Sequence, residues 1–449
     1  MASKRVRKCK KCRPARTRAQ RAAARSEASV AAPATSATHV QLPHHVVLEV
    51  FSYLKSRAIV RARGVARVFT RDAPALIDSL ECSAGLRFPS ATEMHLFPRI
   101  EEVVVKGDND VMEQASPGLA RCASLRRLSI VCQFPQQSPL PGGVTTILCG
   151  LQLSDLDIRK MRIDIPSSLA MPAWRTLRLL ILRDAMITDK SLTTLVGSLP
   201  GTELPLRHLD LSRNPLGEMK GMQPLAEAIV SFPHLDILEL TADRITDCGA
   251  RRLLDALLQG ACPYLSQLEM SLNYLGNECI DFLANGLRRE DHGLQKLRKI
   301  GIGGRFMSAQ GVTNFTCLGR SLAAGCIPIV NYFHVQGDVG PASVGPVLRE
   351  LRSGACPKLA VVKMERSTRF PPEDDDDAVE DAIESMWELV TSSSAPALAE
   401  VHILGMNLGK GLETGWAPED SRTFYRATSM SSFHRLAAAG AERGVMIFV

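Results

Sequence analysis

Two pairs of residues have types and spacings found in metal sites. Cys9 and Cys12 form a CxxC pair, and His44 and His45 are adjacent in the stretch LPHHVVLEVFSYL. A structural zinc site needs four ligands. The next cysteine after Cys12 is Cys82, and neither pair belongs to a set of four. The sequence therefore predicts no metal site and no cofactor.

Several short motifs resemble enzyme signatures but occur in the wrong context. The glycines of GIGG at 301–304 lie inside a strand pattern, whereas a dinucleotide fingerprint needs a strand followed by a helix. The stretch GMNLGKG at 405–411 has the wrong spacing for a phosphate loop and no Ser or Thr after Lys410. Neither HExxH nor GxSxG occurs. We therefore expect no catalytic residues and no enzymatic activity.

Composition and charge indicate a globular protein with a distinct N-terminal tail. Of 449 residues, 45% are hydrophobic and 22% are charged. Residues 1–25 contain eleven Lys or Arg and no acid, so the formal charge of +7 leaves −4 for the rest. No apolar run reaches the ~18–20 residues of a membrane span, and the start has no apolar signal-peptide core. These features predict a nuclear or cytoplasmic protein without membrane contacts.

The tail lacks the apolar residues needed to offset ordering entropy, so we predict that 1–40 is a disordered basic tail followed by an Ala/Ser/Thr linker. Its Lys and Arg clusters favour a nuclear-localisation signal. A solvated tail and an Arg-rich transit peptide are the alternatives, and the Lys clustering and missing apolar face argue against the latter. Nucleic-acid contacts are expected only as nonspecific contacts of this tail.

Most of the remaining chain is an internal repeat. The pattern LxxLxLxxNxL is nearly intact in LRHLDLSRNPL, and LDILELTADRI and LSQLEMSLNYL repeat it. Successive copies start 25, 28, 24, 29, 29, 30, 32, 33, 29 and 39 residues apart. The eleven copies start at Ile100, Leu125, Leu153, Leu177, Leu206, Leu235, Leu265, Leu297, Val330, Leu359 and Leu398.

One copy shows what each unit forms. Leu206, Leu209 and Leu211 alternate with polar residues, which is typical of a strand. Asn214 follows, and its amide can bond to backbone groups left unpaired at a turn. Next come residues of helical period, as in 225–232 and 250–260. A final strand is predicted in GVMIFV, at 444–449.

Cysteines and prolines recur just before the strands. Pro98, Pro233, Pro263, Pro328, Pro357 and Pro396 would end a helix and begin an extended segment. Cys122, Cys262 and Cys356 share one phase of the repeat, so we interpret them as small buried side chains.

One long interval, PPEDDDDAVEDAIESMWELV at 371–390, contains acids before a helix with Val379, Ile383, Met386 and Val390 on one face. The acids favour a helix N-terminus, and a loop contacting a basic partner is the alternative.

The repeats resemble the leucine-rich repeat family, in the helix-bearing form of the ribonuclease-inhibitor-like proteins. This resemblance implies an α/β solenoid over residues 86–449, a curved horseshoe with parallel strands on the concave face and helices on the convex face. Leucine-rich repeats bind proteins, but the fold alone identifies no ligand.

A separate helical unit is predicted at residues 41–85. Val47, Val50, Phe51 and Leu54 share one helical face, and a second apolar segment runs from 58 to 69. So small a core rarely forms a domain alone, so this face should dock on something.

This segment is similar to an F-box, although His44 and His45 replace the usual acids and Phe69 the frequent Trp. The resemblance implies binding to a Skp-type adaptor of an SCF-type (cullin) E3 ubiquitin ligase. The chain would then be its non-catalytic substrate receptor, with an unknown protein substrate. The alternative is a protein-binding scaffold or inhibitor whose N-terminal helices only cap the solenoid. The adaptor-binding residues implied are Leu42, Pro43, Val46, Val47, Val50, Phe51, Leu54, Ile59, Val65 and Phe69.

One outward position per strand should line the concave face. Acids occupy it in three consecutive copies, at Asp210, Glu239 and Glu269, and should stack about 5 Å apart. Two like charges at that spacing repel by roughly 0.8 kcal/mol in water. We therefore predict that a basic substrate segment covers these acids and that acidic contacts lie near Lys363, with a solvated face as the alternative. The candidate substrate-binding residues are Asp210, Glu239, Glu269, His334, Lys363 and His402.

Overall fold

The computed structural model describes residues 79–83, 98–163, 175–197, 203–217, 222–304, 314–337, 339–354, 356–366, 376–404 and 430–448. The chain divides into two units, Met1–Val50 and Phe51–Val449, and all described residues belong to the second. The basic tail, Cys9, Cys12, His44, His45, Lys410 and every residue of the F-box-like segment from Leu42 to Phe69 lie outside the described residues.

The described residues of the second unit form one sheet of thirteen parallel strands, in which every strand pairs with its neighbours in chain order. The strands are Ser79–Ser83 (β1), Glu102–Gly107 (β2), Arg127–Pro139 (β3), Asp155–Arg162 (β4), Leu179–Arg183 (β5), His208–Asp210 (β6), Ile237–Glu239 (β7), Gln267–Asn273 (β8), Lys299–Gly304 (β9), Tyr332–Gly337 (β10), Val361–Arg366 (β11), Glu400–Leu404 (β12) and Met446–Phe448 (β13).

Helices connect most consecutive strands. From α3 onward, each helix packs against the helix of the next repeat. The helices are Asn109–Leu119 (α1), Gly142–Gly150 (α2), Asp189–Gly197 (α3), Met222–Ala228 (α4), Asp247–Leu258 (α5), Asn277–Leu287 (α6), Thr316–Ala323 (α7), Pro341–Ser353 (α8), Asp376–Thr391 (α9) and Met430–Arg443 (α10). A 3-10 turn, Ile229–Ser231, extends α4.

The core lies between the strands and the helices. In β2, Val103 and Val105 are buried, and the alternating residues Glu102, Val104 and Lys106 are partly exposed. In α5, Leu253, Leu254 and Leu257 are fully buried. Burying such side chains contributes about 1.5–3 kcal/mol each. Neither the strand nor the helix of one repeat could cover these residues alone, so stacking of repeats supplies the core.

The predicted repeats are confirmed as a leucine-rich-repeat solenoid. The eleven copies correspond to β2–β12, and GVMIFV contains β13. The sequence analysis missed β1, which lies inside the range 41–85 that we had assigned to the helical unit. Repeats therefore begin before residue 86. The signal was present as Ile77, Leu80 and Cys82, which have the spacing of Leu206, Leu209 and Leu211.

Two side-chain amides, of Asn214 and Asn273, each link one turn to the turn of the preceding repeat. The Asn214 Oδ1 accepts hydrogen bonds from the N–H groups of Ala185 (2.9 Å) and Ile187 (3.0 Å), and its Nδ2 donates to the carbonyl oxygen of Leu182 at 2.7 Å. Asn273 acts in the same way on the turn at Asp243. The predicted role of Asn214 is thus confirmed, and each such residue satisfies backbone groups of the preceding repeat.

These turns contain residues in the left-handed region of backbone conformation. Positive φ angles occur at the eighth residue of five successive copies, and none of the five residues is a glycine. They occur at Lys160 (60°), Asp184 (56°), Arg213 (66°), Ala242 (62°) and Leu272 (60°). This recurrence shows that one turn geometry is repeated from β4 to β8. The surrounding hydrogen bonds hold residues that rarely adopt this conformation unaided.

Other predicted core features are also confirmed. Cys122, Cys262 and Cys356 are buried, and burial raises the pKa of the Cys262 thiol to about 12. These thiols therefore stay protonated and unreactive near neutral pH. The helix predicted in the long interval is α9, and its four apolar positions at 379, 383, 386 and 390 are all buried.

The turn between those of Asn214 and Asn273 has a carboxylate, Asp243, at the position where its neighbours have an amide. Its Oδ1 accepts from the Asn214 N–H at 2.6 Å, but its buried Oδ2 has no hydrogen-bond partner among the described residues. Burial raises the pKa of Asp243 well above its ordinary value, and the bond from Asn214 offsets this only in part. The folded state therefore retains this proton more strongly than the unfolded chain, so stability falls as pH rises from the unfolded pKa through the folded one.

We expect Asp243→Asn to stabilise the protein by about 1–3 kcal/mol at neutral pH, because the amide nitrogen can donate where Oδ2 cannot. Denaturant unfolding measured at neutral pH and near pH 4 should show the gain shrinking on acidification. The exposed Asp291→Asn is the matched control and should leave the midpoint unchanged. A loss of stability in Asp243→Asn at neutral pH would contradict this account.

Candidate binding face

The predicted row of outward residues is one continuous register line of the sheet. Strand pairing aligns these residues one after another across β2–β12, on the face turned away from the helices, which we call the open face. Glu81 on β1 and Phe448 on β13 extend the line at its two ends. The line consists of Val104, Ser129, Asp157, Ile181, Asp210, Glu239, Glu269, Gly301, His334, Lys363 and His402.

Asp210 differs from what the sequence indicated. Its side chain is only 4% exposed, its Oδ1 accepts the Ser212 N–H at 2.8 Å, and its Oδ2 lies 4.0 Å from the Arg183 guanidinium. The carboxylate therefore holds the end of β6 and is not a free surface acid. The spacing of the repeat predicted the position of Asp210 correctly. It could not show that residues at the end of β6 bury the carboxylate.

Glu239 is the most exposed of the three acids, with 28% of its side chain accessible. Its nearest basic neighbour is His208, whose Nε2 lies 3.9 Å from Oε1, beyond hydrogen-bonding distance. The His208 Nε2 has no hydrogen-bond partner among the described residues. The pair therefore leaves a partly exposed carboxylate that a ligand on the open face can reach, whereas the His208 ring nitrogen is buried.

Glu269 lies within a set of donors. Ser271 donates to Oε1, the Lys299 ammonium lies 3.7 Å from Oε2, and the His334 Nδ1 lies 3.8 Å from it. Burial alone would raise the pKa of Glu269, but His334, Ser271 and Lys299 together hold it below its ordinary value. Glu269 is therefore a stable anion whose charge is already compensated.

Gly301 makes this arrangement possible. A Cβ built on Gly301 would collide with both carboxylate oxygens of Glu269. The absence of a side chain lets Glu269 lean across β9 toward His334 on β10. The sequence indicated Gly301 only as one residue of the outward row. Its steric role becomes visible from the positions of Glu269 and His334 in the structure.

His334 lies between two carboxylates. Its Nδ1 faces Glu269, and its Nε2 lies 3.9 Å from the Glu365 Oε2 without a hydrogen-bond partner among the described residues. Lys363, predicted to receive acidic contacts, is already paired with Glu365 at 2.8 Å. A ligand acid at Lys363 would therefore have to compete with Glu365.

His402 lies near the C-terminal end of the row. Its Nε2 is 2.9 Å from a carboxylate oxygen of Glu400, and its ring stacks on Phe448 with centroids 4.2 Å apart. Phe448 and Met446 are large apolar side chains with considerable exposure on β13. The sequence analysis did not include Phe448 in the row, although its position in GVMIFV would have allowed this.

The open face is therefore a polar surface with mostly paired charges, and beneath it the buried Nε2 atoms of His208 and His334 have no hydrogen-bond partner among the described residues. The described residues contain no group of three or more His, Cys, Asp or Glu arranged to hold a metal ion. No helix among them is long and apolar enough to cross a membrane. The arrangement can recognise polar and charged groups of a partner through hydrogen bonds and ion pairs.

Comparison with known proteins finds solved structures of low similarity, among them the following three. An internalin from Listeria monocytogenes has a TM-score of 0.46 and 13% identity, covering 87% of this chain and 93% of that one. The C-terminal domain of Caenorhabditis elegans tropomodulin has 0.22 and 12%, covering 57% and 92%. A plant peptide hormone receptor in complex with RGF2 has 0.31 and 13%, covering 74% and 60%.

No protein-family model matches the chain, and no curated protein sequence does. Because the structural similarities are low, the solenoid assignment depends on the strand order and the repeated turn contacts of this chain.

We expect Gly301→Ala to destabilise the protein by about 1–3 kcal/mol, because the new methyl group displaces the Glu269 carboxylate from its partners. Thermal unfolding followed by circular dichroism measures the loss. Gly197→Ala, at the end of α3 where an added Cβ meets nothing within 4 Å, is the control and should not lower the midpoint. Equal midpoints for Gly301→Ala and the unmodified protein would contradict the steric role.

Proposed function

We propose that the protein is a non-catalytic substrate receptor of an SCF-type (cullin) E3 ubiquitin ligase. The observation that carries this proposal is the order of two features along the chain. An F-box-like sequence ends at Phe69, and the parallel repeat sheet begins ten residues later at Ser79. A helical adaptor-binding segment followed by a protein-binding solenoid is the organisation that such a receptor requires.

In this mechanism the two ends of the chain have different roles. The apolar stripe of Val47, Val50, Phe51 and Leu54 docks on a Skp-type adaptor. The open face of the sheet holds a protein substrate near the ubiquitin-charged conjugating enzyme, so the rate increases through proximity. No chemical step uses a residue of this chain. The basic tail acts as a nuclear-import signal and places the complex in the nucleus or cytoplasm.

One observation favours a second candidate, a protein-binding scaffold or inhibitor. Among the described residues, β1 pairs only with β2, so its other edge lacks a strand partner. Solenoid ends require a polar cap. The helices predicted in 42–70 would then cover that edge and bind no adaptor.

Substitutions in the apolar stripe separate these functions. We expect the unmodified full chain to co-purify with a Skp-type adaptor and Val50→Asp or Phe51→Asp to abolish this. Burial of Phe51 contributes about 1.5–3 kcal/mol, and a charge there opposes docking. Val30→Asp, outside the stripe, is the control and should bind normally. The thermal midpoint of each variant should match that of the unmodified protein.

The opposite result favours the cap. If the adaptor never co-purifies and the same two substitutions lower the midpoint of the solenoid, the helices serve the fold. In that case the receptor function is wrong.

A single charge reversal tests the open face. We expect Glu239→Lys to reduce recovery of bound proteins at least about fivefold in a tagged pull-down under proteasome inhibition, because ~1 kcal/mol of ion pairing is lost and repulsion is added. Glu239 is preferred to Asp210, whose reversal would break the Ser212 contact. Asp291→Lys, an exposed site off the sheet, is the control. Unchanged recovery with Glu239→Lys would exclude basic-segment capture at this acid.

A further inference from the structure

Four exposed arginines lie where strands β3 to β6 begin. Arg126, Arg178 and Arg207 are each the second residue of their repeat copy, and Arg175 lies in the turn that precedes β5. We call these four residues the arginine edge. They line one rim of the sheet and are distinct from the row on the open face.

Backbone hydrogen bonds fix the spacing of the edge. The Ser154 N–H donates to the Arg126 carbonyl at 2.7 Å, the Arg178 N–H to the Ser154 carbonyl at 2.7 Å, and the Arg207 N–H to the Arg178 carbonyl at 2.8 Å. Because neighbouring strands lie about 4.8 Å apart, the row from Arg126 to Arg207 spans about 15 Å.

The charge of the edge is not compensated within the described residues. None of the four guanidinium groups has a carboxylate within 4.0 Å there, and Arg126 donates only to the Gln152 carbonyl, at 3.4 Å. By contrast, Arg159 on the open face is paired with Asp157 at 2.7 Å. The chain beyond residue 25 carries a formal charge of −4, so this edge is a local concentration of positive charge.

The edge has defined ends. In the same row, Glu101 precedes Arg126, and Asp236, which follows Arg207, accepts a hydrogen bond from the Ser266 hydroxyl. These acids would repel an anionic ligand on either side. The footprint is therefore limited to the starts of β3–β6.

We infer that the arginine edge binds an extended anionic peptide segment of a partner protein. Guanidinium groups bind carboxylates and phosphoryl groups through paired hydrogen bonds. An extended peptide rises about 3.3–3.6 Å per residue, so about five residues cover the edge. Acidic side chains or phosphorylated residues supply the same anionic oxygens. This surface would act in addition to the open face and does not depend on the F-box-like segment.

Single-stranded nucleic acid fits this rim less well. Binding of that kind needs aromatic faces on which bases stack. Among the described residues, an exposed aromatic ring on this rim is that of Tyr264, further along before β8. It stacks with His234, with centroids 6.2 Å apart, and the Lys296 ammonium lies 4.1 Å from its centroid, so the ring already has two stacking and cation–π partners.

Fluorescence anisotropy with the full chain tests the inference. Four labelled probes of about twelve units are compared at about 0.15 M salt: an Asp/Glu-rich peptide, a phosphoserine peptide, a neutral Asn/Gln/Ser peptide and a single-stranded oligonucleotide. The test variant is Arg178→Glu with Arg207→Glu. The matched control is Arg252→Glu with Arg289→Glu, two exposed arginines away from the strands.

We expect at least one anionic peptide to bind, the neutral peptide not to bind, and the test variant to weaken binding at least about tenfold while the control stays within about twofold. Which anionic peptide binds more tightly identifies the source of the negative charge. The basic tail contributes the same background to every variant. Photo-crosslinking of the bound peptide should map to residues next to Arg178 and Arg207.

Three results would overturn the inference. These are equal weakening in the test and control variants, crosslinks confined to residues 1–25, or tighter binding of the oligonucleotide than of either anionic peptide. Unchanged thermal midpoints would show that both double variants fold. Adaptor co-purification should be the same in all of them, so this test and that of the receptor function fail independently.

Discussion

The turns after β5, β6 and β7 leave buried backbone N–H groups that a side chain of the next repeat satisfies. Asn214 supplies the acceptor for two N–H groups of the repeat before it, and Asn273 does the same for the turn at Asp243. Unpaired buried N–H groups cost about 1–3 kcal/mol each, so the repeats are bound together by polar contacts as well as by their apolar core. Strand register follows from these contacts, and register in turn places one residue of every strand in the row on the open face.

The sequence predicted the fold well because its signals are local and repeated. Leu206, Leu209 and Leu211 define a strand face by spacing alone, and eleven copies gave the strand order and the register. The missed β1 shows the limit of this approach, because Ile77, Leu80 and Cys82 have the spacing of the other copies but lie within the range that the F-box resemblance had assigned to helices. The outward row was correct in its position on the sheet, and its binding role stays a prediction. The burial of Asp210 and the accommodation of Glu269 over Gly301 depend on side-chain packing between strands, which no single repeat encodes.

Most charged side chains of the open face are paired, whereas those of the arginine edge are not paired among the described residues. On the face, Lys363 pairs with Glu365 and Arg159 with Asp157, so a partner must displace existing contacts. Such a surface favours selectivity over simple attraction, since wrong partners leave charged groups unsatisfied. The arginines of the rim keep their charges unpaired and can attract an anionic segment at longer range.

Among the described residues, side-chain hydrogen bonds from Asn214, Asp243 and Asn273 join the turns that follow β5 to β8, and this has a consequence for dynamics. These central repeats are cross-linked by buried hydrogen bonds in addition to their apolar contacts. In a nearly one-dimensional array, local opening starts where nearest-neighbour coupling is weakest. Amide hydrogen exchange should therefore be slowest at the centre and fastest toward the ends, so the middle of the array would act as a stiff segment between two more compliant arms.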